Sequence, residues 1–183
     1  MFIRTHRLFL RPAWREDAAA VHAAIADWEI VRNLARAPWP YTRADAEAFC
    51  DGQTLGPGET ALLIWLRTDA APELVGCIGV HYARSGPELG YWIATQHQRR
   101  GYVGEAARAV LDLAFTGLGH AALAAGHYID NPASGRVLAA LGFEPTGEVI
   151  PYACTARGCE VPSVEYRLTR DRWAVGAGYA LAA

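Results

Sequence analysis

Gln98-Arg99-Arg100-Gly101-Tyr102-Val103-Gly104-Glu105-Ala106 opens the most regular amphipathic pattern in this chain. Val103, Ala106, Ala107, Val110, Leu111, Ala114 and Leu118 recur at helical spacing and predict a helix with one buried stripe, ended by Gly117 and Gly119. A strand-like segment, Leu89-Gly90-Tyr91-Trp92-Ile93, precedes it. Strand, basic glycine-bearing loop and helix together suit an anion. The first turn of a helix offers unpaired N–H groups at its positive end, and Gly101 and Gly104 let a ligand approach the backbone. Arg99 and Arg100 add positive charge beside those amides. The spacing alone is equally satisfied by an ordinary loop with solvated arginines.

Before this segment the pattern begins with a short strand, about Leu8 to Arg11, and a helix over Arg15–Ala26 with Ala18, Val21, His22 and Ile25 on one face. The two prolines around Trp39 make Asn33–Tyr41 a rigid aromatic loop, in which Trp39 and Tyr41 read either as core or as the wall of a pocket. Thr42 and Asp45 form a capping box for a helix over Arg43–Cys50. Gly52 to Glu59 is a connection. Thr60–Leu66 and Leu74–Tyr82 read as paired strands, with a turn at Arg84–Pro87 leading into Glu88–Ile93. After the helix come a strand over Ala121–Ile129 and a short helix capped by Asn131 with Pro132 at its first position. Two closing strands follow, Phe143–Val149 and Val161–Leu168, separated by Pro151–Gly158. Hairpin-type strands followed by strand, helix, strand, helix, strand predict an α+β domain. Its single central mixed sheet is mostly antiparallel and flanked by α-helices, and the strands on either side of the crossover helix are parallel. Residues 1–173 form one domain, and 174–183 form a small apolar tail.

Composition narrows the function. At 183 residues and 52% apolar the chain has room for one sizeable core. Net charge is −2 and every basic residue is arginine, which argues against nucleic acid as a partner because nothing clusters the charge needed for phosphate contacts. No apolar run reaches membrane-spanning length and no signal-peptide pattern opens the chain, so a cytoplasmic protein without a membrane partner is expected. Cys50, Cys77, Cys154 and Cys159 lack C-x-x-C spacing. They read as packing or incidental thiols, with a Cys154–Cys159 disulfide or a nucleophile as the alternatives.

With these blocks in order, the chain resembles the GNAT N-acetyltransferase superfamily, and within it the RimJ/RimL-like branch. The loop resembles that family's Q/R-x-x-G-x-G/A signature for acetyl-CoA. Arg7-Leu-Phe-Leu-Arg-Pro12, Glu88–Ile93, Asn131-Pro-Ala-Ser134 with Val137-Leu138 and Leu141-Gly-Phe143, and Tyr166–Trp173 fit the branch. The resemblance spans residues 3 to 173 and implies the GNAT fold, with coenzyme bound where the central strands splay. It implies acetyl-CoA as donor substrate, no metal, and transfer to a primary amine by direct attack in a ternary complex. The acceptor would be a protein N-terminus or a small-molecule amine, and a homodimer is compatible with the family. In that reading Gln98, Arg99, Arg100, Gly101, Tyr102, Val103 and Gly104 hold the pyrophosphate, Asn131 and Ser134 contact pantetheine, and an amide near Trp92 or Ile93 meets the thioester oxygen.

Two departures limit what is carried over. Val103 stands where the family prefers glycine or alanine, so its side chain is expected to point into the buried stripe. Leu138 stands where many relatives carry a tyrosine acid, which leaves Ser134 as the substitute and Tyr128 as a weaker candidate. Amine transfer needs a base, a polarised carbonyl and a proton for the thiolate. Glu88 is the candidate base, with an arginine-paired strand-end carboxylate as the alternative. Ser134 reads equally as a residue assisting the helix cap. Trp39 and Tyr41, with the Pro151–Pro162 segment, would wall the acceptor pocket. A nucleotide enzyme is disfavoured because neither G-x-x-x-x-G-K-[ST] nor G-x-G-x-x-G occurs. A non-catalytic acyl-CoA sensor with the same fold is the remaining rival.

Overall fold

A computed structural model describes residues 1–52, 55–83 and 86–176. Arg84 and Ser85 of the expected turn, part of the Gly52–Glu59 connection, and residues 177–183 of the tail lie outside that description. The strands are β1 (Ile3–Arg4), β2 (Leu8–Pro12), β3 (Thr60–Leu66), β4 (Glu73–Ala83), β5 (Gly86–Ile93), β6 (Ala122–Tyr128), β7 (Glu144–Cys154) and β8 (Cys159–Thr169). They form one sheet in the order β1-β2-β3-β4-β5-β6-β8-β7. Every pairing is antiparallel except β5 with β6, which meet in parallel register at Glu88 and Ala124 alone. Beyond that point the two strands part.

The helices are α1 (Ala18–Ile25), α2 (Trp28–Val31), α3 (Arg43–Cys50), α4 (Tyr102–Asp112), α5 (Pro132–Ala140) and α6 (Arg170–Gly176). Each sheet face has its own core. One gathers Leu8, Leu10, Ile64, Ile78, Leu111, Phe115, Leu123 and Leu168 around α4 and α5. The other gathers Val21, Ile25, Val31, Leu63, Cys77 and Ala46 around α1 and α3. Alternation along the strands sends successive residues to opposite layers, which is why neighbours such as Leu62 and Leu63 belong to different cores. Among the described residues no helix is long and apolar enough to cross a membrane.

Several boundaries differ from expectation for identifiable reasons. The helix expected over Arg15–Ala26 begins as a 3₁₀ turn at Arg15–Asp17, where the Asp17 carboxylate accepts from the Trp14 amide and from both terminal nitrogens of Arg11. The closing strands run much further than Val149 and Val161 and meet at a turn over residues 155–158. Pro151 is tolerated within β7 because that strand lies at the sheet edge. Cys154 and Cys159 face each other across this hairpin and all four cysteines are free thiols. The helix α6 continues to Gly176, past the expected domain end at residue 173, and buries Trp173 against Phe115.

Candidate functional site

The parting of β5 from β6 opens a cleft of about 810 Å³, with α4 and α5 on one side and the loop after α2 on the other. Its arms differ in chemistry.

The first arm is backbone. Gly101 caps α4 at φ 79°, a left-handed conformation that a β-branched residue resists. Arg99 reaches φ 59° just before it, so consecutive turns aim the amides of the loop at the start of an 11-residue helix. Gln98, Arg99, Gly101, Tyr102 and Val103 line the cleft, whereas Arg100 and Gly104 lie outside the lining. Gln98 donates from its side chain to the Ile93 carbonyl and thereby ties the loop to the end of β5.

One correction concerns the helix phase. Tyr102, Ala106, Ala107, Val110, Leu111, Ala114 and Phe115 are buried, while Leu118 is half exposed. The stripe therefore starts at Tyr102, and Val103 is half-buried at the cleft wall instead of pointing into the core.

A carboxylate in the first turn of α4, Glu105, would repel an anion if left alone. Instead its Oε1 accepts from the Thr5 hydroxyl at 2.5 Å and the Arg7 amide at 2.7 Å, and its Oε2 accepts from Arg7 Nε at 2.7 Å. Burial alone would raise the Glu105 carboxyl, but these donors outweigh it and hold the group below its ordinary value. The same Arg7 donates to the Arg100 carbonyl and lies over the Tyr102 ring at 4.7 Å. Sequence reading missed this role of Thr5 and Arg7, because nothing local links residues some hundred positions apart.

The second arm is built of side chains. Glu88, on β5, is 7% exposed. Its Oε1 lies 3.6 Å from Nε2 of His81, its cross-strand partner, and its Oε2 has no hydrogen-bond partner. Among the described residues no arginine forms an ion pair with it. Tyr152, on β7, faces the same place, and burial pushes its hydroxyl up to about 12, with the Glu88 and Glu165 charges adding to the effect.

The mouth above Glu88 is tied shut at its edges. Cys154 and Thr155 bond to carbonyls of residues 32–35, and Arg157 donates from Nε to the Arg32 carbonyl. Asp130 bridges Arg32 and Arg157, whose guanidinium hydrogen bond holds its carboxyl below the ordinary range despite burial.

Between the arms stands α5. Asn131 caps it, accepting from the Ser134 amide, and both residues line the cleft. Ser134 Oγ is 2.8 Å from the Tyr91 hydroxyl, which burial raises to about 12 against the opposing effect of that hydrogen bond. Leu138 is 1% exposed in the core, and the Tyr128 hydroxyl is committed to the Ala153 carbonyl at 2.6 Å. Gly135 is required where α5 crosses β6, since a Cβ there would sit 2.5 Å from His127 Nε2. Tyr91, invisible from its spacing, joins Ser134 only because β5 turns that hydroxyl toward α5.

Backbone direction also decides which amide faces the gap. The Ala94 amide donates to Val75 on β4. Because strand groups alternate, the N–H groups of Ile93 and Tyr91 point the other way, toward the space left by β6. Trp92 and Ile93 both line the cleft. The expected pocket wall fares differently: Tyr41 is buried in the core around α1 and α3, and Trp39, 46% exposed, packs edge-on against Trp28 outside the cleft lining. Glu29, Ile30, Leu34 and Ala35 take that position. No group of three or more metal-ligating side chains is gathered among the described residues.

The sequence matches the Acetyltransferase (GNAT) domain family over residues 7–144. It is 27% identical over 153 residues, 82% of this chain and 86% of the other, to the uncharacterized N-acetyltransferase YoaA of Bacillus subtilis (strain 168). Its fold is similar to that of a GNAT-family acetyltransferase from Bacillus anthracis, with TM-score 0.79 and 23% identity over 93% of this chain and 99% of that one. It also resembles the spermidine N-acetyltransferase of Vibrio cholerae in complex with CoA and spermine, with TM-score 0.73 and 18% identity over 92% and 99% of the two chains. The family match over three quarters of the sequence, with an eight-stranded mixed sheet that splays beside a glycine-capped helix, places this protein in the GNAT family of N-acetyltransferases.

Proposed function

We propose that this chain transfers the acetyl group of acetyl-CoA to a primary amine by direct attack in a ternary complex. The observation that carries the reading is the single cleft in which an amide-lined helix start and a buried carboxylate with a free oxygen flank the same gap between β5 and β6. The loop fits a pyrophosphate in backbone shape, because Gly101 holds a left-handed conformation at φ 79° that few side chains allow, and in charge, because Arg7 neutralises Glu105. Each exposed helix-end charge interaction is worth about 0.3–1 kcal/mol, so the amides of Arg99, Gly101, Tyr102 and Val103 act together.

At the reacting end, the Ile93 amide is directed to where the thioester oxygen gains negative charge. The amine must lose a proton to form the amide. A carboxylate is a far weaker base than a free amine, so Glu88 takes that proton as the N–C bond forms and the nitrogen becomes acidic. Ser134, held by Tyr91, supplies a hydrogen bond to the departing sulfur. Tyr91, raised by burial, orients Ser134 and is a poor acid itself.

Thiol release from acetyl-CoA tests this, measured with peptides of varied first residue, aliphatic amines and aminoglycosides. Turnover with at least one amine is expected. Tight coenzyme binding without turnover on any amine would leave the acyl-CoA sensor as the function.

A further inference from the structure

A second carboxylate on the acceptor side has no role in the chemistry above. Glu165 lies on β8, 7% exposed, and its Oε1 is buried without any hydrogen-bond partner. Register fixes its direction. Glu88 pairs with Ala124 and Glu165 with Gly126, and residues two apart on one strand share a face, so both side chains stand on the same face of the sheet, on either side of β6. Strand spacing puts their Cα atoms roughly 12 Å apart; the Glu165 side chain lies over β6 at Gly126, while Glu88 Oε1 leans toward His81 on β4.

The strand beneath is shaped for this. A Cβ at Gly126 would come within 2.9 Å of Glu165 Oε1 and 2.8 Å of Ser163 Oγ, so only glycine lets the carboxylate lie on the strand. Burial raises the Glu165 carboxyl, and the Glu88 and Glu148 charges raise it further, against the lowering influence of the neighbouring Ser163 hydroxyl and of His127. Among the described residues no cation of the protein pairs with it. The exposed Arg167, two residues along, makes no ion pair with Glu165, and Arg36 is held by both oxygens of Glu59. Burying an unpaired carboxylate is costly unless something else supplies the charge.

Tyr152 connects the two carboxylates. It lines the main cleft and also a second groove of about 860 Å³, whose walls include Glu165, Glu148, Glu160, Tyr82 and Tyr166. Carboxylates interleaved with aromatic rings suit aliphatic ammonium groups.

We propose that the acceptor is an aliphatic diamine or polyamine, and that Glu165 binds its second ammonium group while the first nitrogen reacts beside Glu88. This rests on the acetyltransferase reading of the cleft.

The test compares kcat/KM for butylamine, 1,4-diaminobutane, spermidine and a short peptide with a free N-terminus, at saturating acetyl-CoA, in the native protein and in Glu165→Gln. The native protein is expected to prefer the diamine to butylamine at least tenfold, and Glu165→Gln to reduce that ratio at least tenfold. Turnover with equal use of butylamine and diaminobutane would overturn the inference and leave the acetyltransferase reading standing, as would a peptide used better than every diamine. A preference that survives in Glu165→Gln would overturn the assignment to Glu165. Coenzyme binding with no turnover on any acceptor would reject both readings. Should Glu165→Gln fail to fold, the ratio in the native protein still decides the acceptor class.

Discussion

The two arms of the cleft are made of different material. The α4 arm presents main-chain amides, with its nearest carboxylate bound by Thr5 and Arg7. The β5 arm presents side chains, among them the buried Glu88 with an oxygen left unpaired, and Glu165, likewise buried with an unpaired oxygen, stands in the adjoining groove that Tyr152 also lines. Main-chain groups serve a ligand whose shape is fixed and whose charge is spread, while unpaired side chains are held at a cost in stability and so mark where an exchangeable partner completes the site. Under the proposed function, the donor is recognised by geometry and the acceptor by charge.

Substitutions can separate these roles. Gly101→Val should reduce affinity for acetyl-CoA by about a hundredfold, because a β-branched residue resists φ 79° and its added side chain would crowd the Arg7 guanidinium, 3.5 Å from the Cβ position. Isothermal titration measures this, and unchanged affinity would break the donor half of the comparison. Glu88→Gln should lower kcat about a hundredfold while leaving the dissociation constant of acetyl-CoA unchanged. If the rate at saturating amine is unaffected, the carboxylate arm does not move the proton.

A smaller effect sharpens the distinction. Arg7→Ala frees the Glu105 carboxylate beside the cradle and should weaken acetyl-CoA about tenfold, with the KM of the amine unmoved. A change confined to the amine KM would mean that Arg7 serves the wrong arm.

The last prediction concerns the scaffold of the acceptor side. Glu59, whose side chain is 5% exposed, is held down to about 2, chiefly by the Arg36 guanidinium and also by the amides of Gly56 and Tyr82, against the effect of burial. A depressed carboxyl contributes stability that is fully present above its unfolded value of about 4.5 and is lost as pH falls toward 2. Since Arg36 is half exposed, about 1–2 kcal/mol is expected from the pair. Urea denaturation between pH 7 and pH 3 should show this slope, and Glu59→Gln should flatten it.

Local chemistry decided what could be read from the chain. The α4 loop carries its own evidence, since glycines, arginines and an amphipathic repeat lie within a few turns, and a cradle of amides needs little else. The caps at Thr42 and Asn131 were readable for the same reason. The mixed, mostly antiparallel sheet with one parallel crossover was readable, whereas the order β6-β8-β7 was not, and the full length of β7 and β8 was hidden by Pro151 and Pro162, which look like breaks. Glu88 stood out as a carboxylate on the strand beside the loop. Glu165, Tyr91 and Tyr152 did not, because each acquires its neighbours by strand pairing across the sheet, and sequence spacing records none of it. Trp39 and Tyr41 misled because aromatic residues between prolines serve a core and a pocket equally well, and here they serve packing.

The bonds joining the β7–β8 hairpin to the loop after α2 also bear on how the chain acquires its fold. Thr155 reaches Ala35 across 120 residues and Arg157 reaches Arg32 across 125. On a ribosome the residues of the donor cradle emerge long before the acceptor wall can close, because β8, the last strand made, must insert between β6 and β7. Contacts of such long range are slow to form, so the wall made by the β7–β8 hairpin is the last part of the cleft to close.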